Sequence, residues 1–120
     1  MATLAQLVDD VVVHKFELNA EELTLGRHPE NAVVVDDTAV SSNHARIIVE
    51  ANAHFPQFHE FFLEDLGSTN GTFINDARLI GKQRLHNNDV IRVAYNKFKF
   101  IDAKEADLEK TVHMLQQSKF

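Results

Sequence analysis

Apolar and polar positions alternate along most of this chain in short segments, broken roughly every eight to twelve residues by turn formers. Lys15-Phe16-Glu17-Leu18 and Glu22-Leu23-Thr24-Leu25 each offer one apolar face, and Asn19-Ala20-Glu21 between them reads as the turn of a hairpin. Ala45 to Glu50 sets Ala45, Ile47 and Val49 on one side, and Lys97-Phe98-Lys99-Phe100 repeats the alternation with aromatics. Further candidate strands are Val33–Val35, Phe61–Asp65, Thr72–Asn75, Arg84–Leu85 and Val90–Val93. His28-Pro29-Glu30-Asn31, Gly67 to Gly71, Asn75-Asp76 and Asn87-Asn88-Asp89 supply turns between them. A strand with one apolar face must bury it against a second layer, so the pattern predicts an all-β sandwich or barrel. Ala51–Glu60 holds Pro56, two histidines and two phenylalanines without period and reads as a loop.

The period changes after Asp102. Leu108, Val112 and Leu115 recur at i, i+4, i+7 among charged residues, the spacing of a narrow helical stripe. The expected organisation is a sandwich over residues 1–102 and a helical tail over 103–120, which docks on the sandwich or mediates self-association.

Composition narrows the class. A chain of 120 residues with 44% hydrophobic and 25% charged content suits one folded domain. Net charge is 12 − 18 = −6 with the seven histidines neutral and 12 + 7 − 18 = +1 with all protonated. Binding to nucleic acid through a general basic surface is therefore not expected, and any anion must be caught locally. The absence of cysteine removes disulfides, thiolate metal sites and Cys nucleophiles. The longest aliphatic run, Ala32 to Val35, is too short for a membrane span. Met1 to Val8 meets Asp9-Asp10 with no basic stretch before it, so no export signal is expected and the default address is the cytoplasm.

Three polar clusters fall in loops: Gly26-Arg27, Ser41-Ser42-Asn43-His44 and Gly67-Ser68-Thr69-Asn70-Gly71-Thr72. An arginine fork matches two phosphate oxygens, a serine hydroxyl adds a donor, and a Gly-rich turn adds backbone N–H groups and a side-chain amide. Such a set suits a small dianion carried on a peptide.

In this order, Gly26-Arg27, Ser41-x-x-His44 and Ser68-Thr69-Asn70-Gly71-Thr72-Phe73-x-Asn75 resemble the signature of the forkhead-associated (FHA) domain, over about Leu23 to Ile101. The resemblance implies a β-sandwich of about eleven mainly antiparallel strands with phosphothreonine peptides bound by loops at one end. It implies that Arg27 pairs with the phosphate, that Ser41 and Ser42 contact phosphate or peptide, that Thr69 helps form the phosphothreonine pocket, and that Asn70 bonds the peptide main chain. Gly26, His44, Gly71 and Asn75 are implied to shape the loops. The implied partner is a phosphothreonine protein in a Ser/Thr kinase pathway, with no enzyme activity, metal or cofactor, and no nucleic acid or membrane partner. The alternative is a phosphate-independent assembly domain using sandwich faces or the terminal helix.

The chain departs from the family pattern in places. Asn88-Asp89 stands for the usual Gly-Asp turn, and Ala94 for a common glycine. Ala39 stands where some members carry an arginine that reads an acidic residue three positions after the phosphothreonine, which argues against that preference here. Other chemistries find less support. Ser41 or Ser42 with His44 lacks a Gly-x-Ser-x-Gly context, and Gly67 and Gly71 are followed by no P-loop lysine. His54 and His59 have no third ligand at a recognisable spacing. His28 beside Arg27 would add partial charge to an anion pocket below neutral pH, although a solvated turn histidine is the simpler role.

Overall fold

A computed structural model describes residues 2–105. Eleven strands follow in order: β1 (Ala2–Val8), β2 (Val11–Glu17), β3 (Glu22–Gly26), β4 (Val33–Val34), β5 (Ala45–Ala51), β6 (His59–Asp65), β7 (Thr72–Ile74), β8 (Ala77–Arg78), β9 (Lys82–Leu85), β10 (Val90–Val93) and β11 (Asn96–Asp102). They form a six-stranded sheet, β2-β1-β11-β10-β7-β8, and a five-stranded sheet, β4-β3-β5-β6-β9. Pairing is antiparallel throughout except for β3 with β4. The predicted all-β sandwich is the observed architecture.

The period-2 pattern decides which side chains meet between the sheets. Leu4, Ile91, Val93, Phe98 and Phe100 come from one sheet, and Leu25, Ala45, Ile47, Leu63 and Leu85 from the other; all are essentially without solvent contact. Phe61 and Phe100 meet across the interface with ring centroids 5.2 Å apart. Each of the larger side chains, Ala45 excepted, contributes about 1.5–3 kcal/mol by burial, so the core stabilises both sheets and the loops between them.

The hairpin expected across Asn19-Ala20-Glu21 does not form. β2 and β3 lie in different sheets, and the chain crosses from one layer to the other at Leu18 to Glu21. Alternation tells each strand which face to bury but not which neighbour to bond. Leu18 and Leu23 therefore belong to the core between the layers, with the partly buried Phe16 packed against it, rather than lying side by side in one hairpin. The hairpin partner of β2 is β1, a strand the pattern did not reveal, joined through Asp9 and Asp10 at φ 54° and 65°. Two successive positive φ values are those of a type I′ turn, whose twist suits a two-residue hairpin. Asn75 and Asp76, at φ 49° and 68°, close β7 onto the unanticipated two-residue β8 in the same way.

Residues 103–105 are helical, with the Lys104 N–H donating to Asp102 Oδ1 at 3.1 Å as in an N-terminal cap. The rest of the expected tail helix, with Leu108, Val112 and Leu115, lies outside the described residues. No helix among the described residues is long and apolar enough to cross a membrane.

Candidate functional site: a loop cluster at one end of the sandwich

β3 ends at Gly26, β5 begins at Ala45, β6 ends at Asp65 and β7 begins at Thr72, so antiparallel pairing brings the three polar clusters to one end of the sandwich. Backbone bonds then join the loops. The N–H groups of Arg27 and His28 donate to the carbonyls of Ser41 and Ser42 at 3.0 and 3.2 Å, Val35 N–H to Gly26 O at 2.9 Å, and Leu66 N–H to His44 O at 2.9 Å.

Gly26 is required by space. A Cβ there would stand 2.2 Å from the Ser42 carbonyl oxygen and 2.7 Å from Asn31 Nδ2, distances no real Cβ adopts. That close approach sets the Arg27 backbone against the loop at Ser41 and Ser42. Arg27 is exposed, and among the described residues it makes no ion pair.

His44 is fully buried and joins two loops. Its Nδ1 accepts the Ser41 N–H at 3.1 Å, which leaves the ring proton on Nε2 to donate to the Gly71 carbonyl at 2.9 Å. Both ring nitrogens are thus used inside the scaffold, so His44 has no free nitrogen to act as a general base on Ser41 or Ser42.

Ser41 Oγ accepts the Thr69 N–H at 3.1 Å, so its own proton remains to be donated elsewhere. Asn70 Nδ2 donates to Ala39 O at 2.7 Å, which fixes the amide and leaves Oδ1 as an acceptor for another group. Ser42 and Thr69 are exposed beside them. Gly71 has φ 84°, a left-handed conformation that glycine takes without strain. Arg27, Ser41, Ser42, Thr69 and Asn70 therefore share one surface, with Gly26, His44 and Gly71 beneath it. Asn75 sits at the other end of β7, where it donates to Asp89 Oδ1 and accepts the Val90 N–H, both at 2.9 Å.

Four supporting residues escaped the sequence reading. Asn31 Nδ2 donates to His28 O and Ser42 O at 2.9 and 2.7 Å, tying the first two loops. Asp37 accepts from the Ala39 N–H and from Asn96 Nδ2, and these bonds, the Ala39 one foremost, lower its pKa. Asp65 organises the Gly-rich turn by accepting from Gly67 N–H, Ser68 N–H, Ser68 Oγ and Thr72 Oγ1 at 2.6 to 3.1 Å. Burial alone would raise the Asp65 pKa, but the four bonds together outweigh it and hold the carboxyl below its ordinary value. Asp65, bonded to the N–H groups two and three residues on, and Asp37, bonded to the N–H two residues on, carried local signals of this kind; the Asn31–Ser42 and Asn96–Asp37 bonds did not.

The remaining candidates lie elsewhere or are used locally. His28 Nδ1 accepts the Glu30 N–H at 3.1 Å within its own turn. His54 and His59 are exposed at the opposite end, and among the described residues no three His, Asp or Glu side chains are arranged to hold a metal. A cavity of about 750 Å³ lined by Leu18, Phe55, Phe58 and Phe61 also lies at that end, away from the donor set.

Comparison with known proteins agrees with this geometry. A family model described as FHA domain matches residues 23–94. The chain is 29% identical over 93 residues to the glycogen accumulation regulator GarA of Mycolicibacterium smegmatis, covering 78% of this chain and 54% of that protein. It is 38% identical over 61 residues to the oxoglutarate dehydrogenase inhibitor of Corynebacterium glutamicum, covering 51% of this chain and 38% of that one. Among solved structures, Mycobacterium tuberculosis EmbR in complex with a low-affinity phosphopeptide superposes with a TM-score of 0.70 at 26% identity, over 83% of this chain and 24% of that one. The chain thus spans about half or less of the length of these relatives.

Proposed function

This chain belongs to the FHA-domain family, and from that premise we propose that it is a non-catalytic module that binds phosphothreonine in a partner protein, as an adaptor or sensor in cytoplasmic Ser/Thr kinase signalling. The observation that carries this reading is the convergence of Arg27, Ser41 and Asn70 on one surface with two donor groups and the Asn70 acceptor still available. Phosphate brings roughly −1.5 to −2 charges at neutral pH, and Arg27 meets it as a planar fork of donors. Ser41 adds a hydroxyl whose acceptor side is already occupied by Thr69 N–H, so its proton is directed to the ligand. Asn70 Oδ1 takes an N–H from the peptide main chain, and Ser42 and Thr69 complete the wall around the phosphothreonine.

Preorganisation is the energetic advantage of this arrangement. The loops are joined by buried His44 and by Asn31, Asp37 and Asp65, so ligand binding orders little of the chain. A phosphate contact of this kind contributes about 1.5–3 kcal/mol per charged bond. Discrimination of the threonine methyl adds about 1–3 kcal/mol and sets preference over phosphoserine. The relatives include a glycogen accumulation regulator and an oxoglutarate dehydrogenase inhibitor, names that fit an output through association with other proteins.

The test is a degenerate phosphothreonine peptide library, screened against the intact chain and the Arg27→Ala and Ser41→Ala variants. Selective capture of phosphorylated peptides that both variants lose supports the reading. Equal capture of unphosphorylated peptides would sink it.

A further inference from the structure

The two sheets treat their outward charges differently. On the five-stranded sheet the cations are neutralised: Arg46 pairs with Glu64 and Glu22 at 2.7 and 3.5 Å, Lys82 with Glu50 at 3.0 Å, and Arg84 with Glu60 at 3.2 Å. On the six-stranded sheet, strand register sets Leu7, Lys97, Arg92, Phe73 and Arg78 side by side in one outward row. The next row is Lys15, Ala5, Lys99 and Val90. None of these five cations makes an ion pair among the described residues. Glu17 in the following row is the carboxylate nearest in register, and Asp9, Asp10 and Asp76 stand at turns on the margin.

A chain of net charge −6 thus concentrates five of its twelve Lys and Arg residues on one sheet face. With strands about 4.8 Å apart and rows about 7 Å apart, they occupy a strip about 25 Å wide. Lys97 stands directly opposite Arg92, an arrangement of like charges that weakens a sheet unless an anion covers it. Arg92 is held down on the Phe73 ring, 3.8 Å from its centroid, and donates to Ala94 O at 2.7 Å.

We infer that this outward face of the six-stranded sheet is a second docking surface, which receives an acidic segment of the same phosphorylated partner. The inference rests on the phosphothreonine reading for the identity of the partner. Continuity with the loop cluster supports it: the Arg78 guanidinium carbon lies 3.4 Å from the point that a Cβ added at Gly71 would occupy, and the Ala94 N–H donates to Gly71 O at 3.1 Å. A polypeptide leaving Asn70 and Gly71 therefore passes onto Arg78, Arg92 and Lys97. Leu7 and Val90, both partly exposed, lie among the cations and suit a segment in which carboxylates alternate with apolar residues. Single-stranded nucleic acid fits less well. Binding it on a sheet needs open aromatic faces for base stacking, and Phe73, the one aromatic in these two rows, is covered by Arg92.

The test uses a phosphothreonine peptide, the same peptide with a run of glutamates added on either side, and a Gly/Ser-extended control, titrated into the intact chain at about 50 mM and about 300 mM salt. The acidic extension is expected to tighten binding about tenfold at low salt and to lose most of that gain at high salt. Lys15→Gln/Lys97→Gln/Lys99→Gln should abolish the gain while leaving the unextended peptide unaffected, and the charge reversals at the same positions should do so more strongly. No gain from the extension, or a gain the triple variant retains, overturns the inference. A separate arm titrates a free polyglutamate peptide into Arg27→Ala. Binding there that the triple variant removes supports the face even if phosphothreonine recognition fails. Tighter binding of oligo-dT or of phosphatidylserine vesicles than of the acid-extended peptide would overturn the choice of a protein ligand.

Discussion

His44 donates from Nε2 to the carbonyl of Gly71 at 2.9 Å, joining two loops 27 residues apart in sequence. The same ring accepts the Ser41 N–H on its other nitrogen. Replacing it with alanine opens a cavity, leaves the Ser41 N–H without its acceptor and removes one of the two donors to the buried Gly71 carbonyl, so His44→Ala should destabilise the fold by about 2–4 kcal/mol in urea titration. Phosphopeptide affinity should fall as well, because Ser41 and Asn70 lose their shared anchor. Unaltered stability and affinity would remove His44 from this role.

Gly26→Ala tests the close approach of the first two loops. The added methyl meets backbone at Ser42, which cannot swing aside like the end of a side chain. Thermal and urea unfolding should show a loss of about 1–3 kcal/mol, the range for forced overpacking. A neutral substitution would mean that the two loops are free to separate.

Ala94 carries φ 53° as the first residue of the two-residue turn between β10 and β11, a conformation that favours glycine. Left-handed backbone costs a non-glycine residue about 1–2 kcal/mol, partly offset by the greater freedom of glycine in the unfolded chain. Ala94→Gly should therefore stabilise by about 0.5 kcal/mol, read as a higher urea midpoint. A lower midpoint would show that burial of the Ala94 methyl outweighs the strain.

The Asp65 carboxyl predicts the acid behaviour of the site. Its pKa is depressed in the folded chain, so its contribution is present above the ordinary aspartate range and is lost as pH falls through the folded value. Asp65→Asn should be clearly less stable than the parent at pH 7, and the gap should narrow below about pH 4. A gap that stays constant with pH would assign the loss to shape rather than charge.

Much of the architecture was readable because alternation is a direct record of which side chains face the core, as in Ala45, Ile47 and Val49. Strand partners were not, since pairing is decided by packing between distant segments. The sequence pattern placed Lys15–Leu18 beside Glu22–Leu25 in one hairpin, whereas the fold sets β2 and β3 in opposite sheets with Leu18 in the crossing between them. β1 was missed because Ala2 to Val8 alternates weakly, and because Asp9-Asp10 is a poorer I′ signal than Asn-Gly. The polar clusters were visible as local motifs. Their supports were not: Asn96 reaches Asp37 across 59 residues and Asn31 reaches Ser42 across 11, pairings that exist only once the sandwich has closed. The cationic face was hidden for the same reason, since Lys15, Arg78 and Arg92 become neighbours of Lys97 and Lys99 only through strand order.

The most direct measurement is calorimetric titration of the intact chain with one peptide in three forms, carrying phosphothreonine, phosphoserine or unmodified threonine, repeated with Arg27→Ala. The phosphothreonine form should bind, the phosphoserine form should be weaker by about 1–3 kcal/mol, and the unmodified form should show no measurable heat. Arg27→Ala should weaken the phosphothreonine form by about 1.5–3 kcal/mol, a factor of ten to over a hundred. Comparable binding of the unmodified peptide, or full affinity in Arg27→Ala, would contradict phosphothreonine recognition at this loop cluster.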